Sequence, residues 1–192
     1  MESLRDYWLS VRDAASSVAK HRKHDLHRTL KLLMLSSFAF SLGVGIFVSK
    51  LSLQAGVFTT NIFIGMFLTV FSSVILLSLG LGLVHEFVSA ALGGRGRYYE
   101  SLTSVTFFFA APSLGFFVAS LLLFVPYIGM LLGSFIIALT FGMGLAALYR
   151  ATKDLARVDM VTSYVIVSVL TISFFVMLYA ALLFNAASLI GV

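Results

Sequence analysis

The run SLTSVTFFFAAPSLGFFVASLLLFVPYIGMLLGSFIIALTFGMGLAALY, residues 101 to 149, contains no Asp, Glu, Lys or Arg. It is more than twice the length of about 20 residues that one helix needs to cross a bilayer. Pro126, Tyr127, Ile128 and Gly129 stand near its middle and read as a turn. Two spans are therefore expected here, over 102–124 and 128–148, as an antiparallel hairpin. Outward from it, residues 32–49 lie between Lys31 and Lys50 and hold a first span, 61–84 a second and 162–184 a last one. The reading is an all-α membrane protein of five transmembrane helices. Composition agrees, since 60% of residues are apolar and 11% charged, against about 25% charged in soluble domains. Mean hydropathy is +1.04.

Topology follows from the placement of Lys and Arg. With five spans, seven basic residues of the N-terminal segment, Arg95 and Arg97 of the second connector, and Arg150, Lys153 and Arg157 of the fourth share one side, leaving Lys50 alone opposite. That is twelve against one. A single span over 101–149 would give nine against four. The asymmetry favours five spans with the N-terminus cytoplasmic and the C-terminus outside. The pI of about 9.7 reflects this bias and points to anionic headgroups, not to nucleic acid. The first span is expected to serve as its own insertion signal, because thirty-one residues precede it and it is long for a signal peptide.

Residues 1–31 read as a cytoplasmic, amphipathic, basic segment, and 32–192 as the membrane domain. Leu4, Tyr7, Trp8, Val11, Ala15 and Val18 recur at helical spacing. Such a stripe, with Trp8, suits a helix lying in the headgroup plane, or one packed on the protein's own loops. His21, His24 and His27 are interleaved with Arg22, Lys23 and Arg28. Those cations oppose a divalent metal, so a headgroup-facing basic cluster is the better reading, with no metal or cofactor expected. Trp8, Arg22, Lys23, Arg28, Lys31, Arg95 and Arg97 are the candidate lipid- or partner-binding residues.

The spans themselves are empty of ionisable residues, the usual markers of ion coupling or chemistry inside a bilayer. His85 and Glu86 lie at the expected exit of the second span and read as a helix end emerging into the interface. No serine stands in a Gly-x-Ser-x-Gly setting and no span holds a His pair with metal-site spacing, and no enzymatic activity is expected. A lipid-modifying enzyme would need His85, Glu86, Arg95 and Arg97 to converge. Small residues recur every four positions at Ala111, Gly115 and Ala119, at Ala138, Gly142 and Ala146, and at Gly129 and Gly133. In lipid, such columns let helix backbones approach closely. Ser37, Ser41 and Gly45 give the first span a similar edge, available to the hairpin or to a second copy of the chain. Pro112 deletes a backbone hydrogen bond within the third span.

Gly-Gly-Arg-Gly-Arg-Tyr at 93–98, Ala-Ala-Pro at 110–112 and Val-Pro-Tyr-Ile-Gly at 125–129 together resemble the Yip domain family of Ypt/Rab-interacting, five-span membrane proteins. The resemblance covers roughly residues 30–185. It gives Gly93, Gly94, Gly96, Pro112, Pro126 and Gly129 structural roles, and it implies a non-enzymatic membrane scaffold or adaptor. Residues 1–31 contain no match to the Asp-Leu-Tyr-Gly-Pro motif of eukaryotic members, so the resemblance implies a prokaryotic, plasma-membrane relative. Partners expected are anionic lipids at the cytoplasmic face, a protein partner, or a second copy. The alternative function is a small transporter or channel for a neutral or weakly polar solute.

Overall fold

In the computed structural model, residues 26–54, 56, 60–94, 97–125 and 128–190 are described, with side chains of the last helix as far as Met177. They form five helices: α1 Leu26–Gln54, α2 Thr60–Ala91, α3 Tyr98–Leu122, α4 Ile128–Leu155 and α5 Met160–Ile190. Each is long and apolar enough to cross a membrane. The chain is an integral, multi-pass membrane protein. No strand occurs among the described residues.

The helices overrun the expected spans. α1 starts at Leu26, so Arg28 and Lys31 belong to it and the boundary expected between residues 31 and 32 falls inside a helix. α2 continues past 84 to Ala91 and carries His85, Glu86 and Ser89. Charge ends an apolar run but does not end a helix, which stops at a cap. For α2 the cap is Gly93, at φ +83°. Gly94 N–H donates to Ser89 O at 2.8 Å and Gly93 N–H to Ala90 O at 3.2 Å, the paired bonds of a Schellman turn.

α3 is the most enclosed helix and packs against α1, α2 and α4. Its partner across the hairpin is α4, and the contact is built on absent side chains. Pro112 has no N–H to offer Phe108 O four residues back. Gly144 lies opposite both: a Cβ there would sit 2.5 Å from Phe108 O and 2.9 Å from the Pro112 ring. One turn further, a Cβ on Gly115 would collide with Thr140, and beyond that Gly133 packs on Ala119. At the turn, Gly129 abuts the Leu122 carbonyl, leaving no room for a side chain, and its N–H donates to Val125 O at 3.2 Å.

This corrects one sequence expectation. Ala111, Gly115 and Ala119 are buried as foreseen, but Ala138, Gly142 and Ala146 face outward, and nothing lies within 4 Å of a Cβ on Gly142. The column that meets α3 is Gly129, Gly133, Thr140, Gly144, Ala147. It mixes spacings of three, four and seven, because a helix face follows 3.6 residues per turn and drifts off a strict four-residue repeat.

The edge of α1 is used inside the chain. Gly43 meets the Phe117 backbone of α3, and Gly45 receives the Phe63 ring of α2. Outside, the bundle is apolar: Leu76, Phe87, Met130 and Leu131 are 69–77% exposed, as surfaces facing acyl chains are. At the end remote from Arg97, Lys50 Nζ sits 4.4 Å over the Phe124 ring, joining α1 to the hairpin turn by a cation–π contact.

The seam predicts unequal glycines. Gly144→Ala and Gly115→Ala should each cost about 1–3 kcal/mol by overpacking, whereas Gly142→Ala should be neutral, as read by SDS or thermal unfolding in micelles.

Candidate functional site

Three connected features gather the start of α1, the end of α2, the start of α3 and the end of α4 at one end of the bundle. The first is His85. It is 1% exposed, its Nδ1 2.9 Å from Ser101 Oγ of α3 and its Nε2 2.9 Å from Thr152 Oγ1 of α4. Ser89 Oγ approaches Nδ1 less closely, at 3.4 Å. A neutral imidazole has one donor and one acceptor nitrogen, and a hydroxyl serves as either, so both bonds form in either tautomer. His85 is enclosed between α3 and α4, not exposed at a helix end as its position in the sequence suggested. Glu86, one residue on, is half-buried on another face of α2 and lies near Tyr98.

Thr29 is the second. Its Oγ1 lies 3.0 Å from Thr103 Oγ1 and 3.3 Å from Tyr99 Oη. The Thr29 hydroxyl donates to Tyr99 Oη and Thr103 Oγ1 donates to Tyr99 O at 2.8 Å; the contacts of Thr29 tie α1 to α3.

The third joins the connectors. A Cβ on Gly94 would meet Val158 at 3.0 Å and Ala156 O at 3.3 Å, so the α2–α3 connector rests on the α4–α5 connector. The described part of the glycine loop is therefore a helix cap packed on its neighbour, not a loose tether. Arg97 caps α3, its N–H donating to Glu100 Oε2 at 2.9 Å. Arg157 takes a left-handed conformation, φ 54°, as α4 ends. Asp159 accepts hydrogen bonds from Thr162, whose backbone N–H is 2.9 Å away, and these hold its carboxyl below its ordinary value of 3.8.

Around this polar node the basic side chains Lys31, Arg97, Arg150, Lys153 and Arg157 are exposed, and Arg28 is half-buried. Of the sequence candidates, Arg28, Lys31 and Arg97 are thus at one end. Trp8, Arg22, Lys23, Arg95, Gly96 and Pro126 lie outside the described residues. Thr29, Ser89, Ser101 and Thr152 were not singled out from the sequence. Serine and threonine in spans mostly bond their own helix backbone, as Thr106, Thr140 and Thr171 do here, and nothing in the sequence marks the exceptions. His85, the sole histidine between residues 28 and 192, was the available signal.

No protein-family model, curated protein or solved structure matches the chain.

Two outcomes test this end. His85→Ala orphans two buried hydroxyls and should cost about 2 kcal/mol of unfolding stability, with His85→Gln recovering part of it. The Asp159 cap should contribute fully above the ordinary carboxylate value and fade as pH falls through the lowered folded one. The extra amide-exchange protection of Thr162 over that in Asp159→Ala should accordingly vanish in acid.

Proposed function

We propose that this protein is a non-enzymatic membrane scaffold or adaptor of the Yip type, with its N-terminus in the cytoplasm, residing in a prokaryotic plasma membrane. Its working surface is the basic end of the bundle. The observation that carries this reading is the pairing of a ring of exposed cations, Lys31, Arg97, Arg150, Lys153 and Arg157, with a polar node that fixes the four helix ends bearing them.

Side chains on rigid helix ends present charge at fixed spacing, which favours anionic headgroups or an acidic protein surface. Each Lys or Arg near an anionic leaflet contributes about 1 kcal/mol. The twelve-to-one distribution of basic residues supports a cytoplasmic location for this end. Gly93, Gly94, Pro112 and Gly129 all occupy structural positions here, which is compatible with the roles that the family resemblance gives them.

The reading is tested with Arg97→Glu, Lys153→Glu and Arg157→Glu combined. Anionic lipid retained through purification should fall on the order of tenfold or more as measured by lipid mass spectrometry, while neutral lipid is unaffected. Loss of a co-purifying protein at constant lipid would assign the surface to a protein partner. No change in either would remove the basic end as the working surface.

A further inference from the structure

Ser36, Ser37 and Ser113 are completely buried, and among the described residues their hydroxyls have no hydrogen-bond partner. Other enclosed hydroxyls, such as those of Ser41, Ser78 and Thr106, donate to the carbonyl four residues back.

The helix register brings these three to one place. α1 and α3 run parallel, Thr29 facing Thr103 near the basic end and Gly43 facing Phe117 further along. Seven residues make nearly two turns, so Ser36, midway between Thr29 and Gly43, faces α3 with them. Ser37 is turned about 100° from it, toward the side where Gly45 and Phe38 meet Phe63 and Phe67 of α2. On α3, Pro112, Gly115 and Ala119 face α4. Ser113 is rotated off that stripe toward the flank bounded by α1 and α2. The three hydroxyls therefore all face the region where α1, α2 and α3 join, half-way along the bundle.

We propose that this junction binds a small, uncharged hydrogen-bonding ligand, and that the ligand is water. Hydroxyls donate and accept, which matches water in both senses. A buried water characteristically bridges two to four groups of this kind. An ion would find no countercharge, since residues 32–49 and 101–149 contain no charged side chain, and burying it unpaired is costly. Toward the basic end follow Thr106, bonded to Leu102 O, and then Thr29, Thr103 and Tyr99. In the other direction the backbone approach at Gly43, where an added Cβ would lie 2.9 Å from Phe117 Cα, closes the seam. A solute path along this seam would have to part Gly43 from Phe117. This stands independently of what the basic end binds.

Water-edited solid-state NMR on the full chain in lipid bilayers tests it with water as the probe. Polarisation should reach the Ser36, Ser37 and Ser113 signals several-fold faster than those of Phe107 and Ala147, which are equally enclosed but sit in an apolar cluster. Transfer to the serines no faster than to Phe107 and Ala147 would overturn the proposal.

Discussion

Close backbone approach between α3 and α4 is the constraint on which the bundle depends. In lipid no water is released when apolar helices meet, so association rests on dispersion, and dispersion demands contact. Pro112 and Gly144 supply it together, one leaving the Phe108 carbonyl without its helical donor and the other leaving space for that carbonyl and the ring. With the hairpin fixed, α3 can be enclosed on its remaining sides by α1 and α2, and its buried face can be filled by Phe107, Phe108 and Phe109. The rings of Phe108 and Phe109 reach Phe174 edge-on, so the same seam positions α5. Beside them, the apolar cavity bounded by Leu81, Val105, Phe108, Leu148, Leu170, Thr171 and Phe174 has a volume of only about 10 Å³.

Polar contacts then decide which helix ends stay together. Hydroxyls and one imidazole join α1 to α3 and α2 to both α3 and α4 at a single end, while the opposite end has a cation–π contact from α1 to the hairpin turn. The fixed end is also the basic one. The exposed basic side chains therefore sit on helix ends that hydrogen bonds tie together.

His85 illustrates the difference between a position in the sequence and a position in space. Next to Glu86 and just beyond an apolar run, it reads as a residue leaving the membrane. α2 continues because no cap occurs before Gly93, and that continuation turns His85 inward against Ser101 and Thr152. The Ala138, Gly142 and Ala146 column misleads for a related reason: a four-residue repeat identifies a helix face but not the neighbour it meets.

The sequence alone determined the class, the five membrane-spanning helices found among the described residues and the break between α3 and α4, because stretches free of charge and long enough to cross a bilayer have few other outcomes. It also located the basic clusters and the buried Ala111, Gly115 and Ala119 face. Tertiary structure alone decided which glycines touch another helix, which hydroxyls leave their own backbone, and which of them, as at Ser36, Ser37 and Ser113, are buried without a partner among the described residues. Those outcomes depend on rotation and register between helices, set by packing among residues far apart in the chain, and one helix's periodicity carries no information about either.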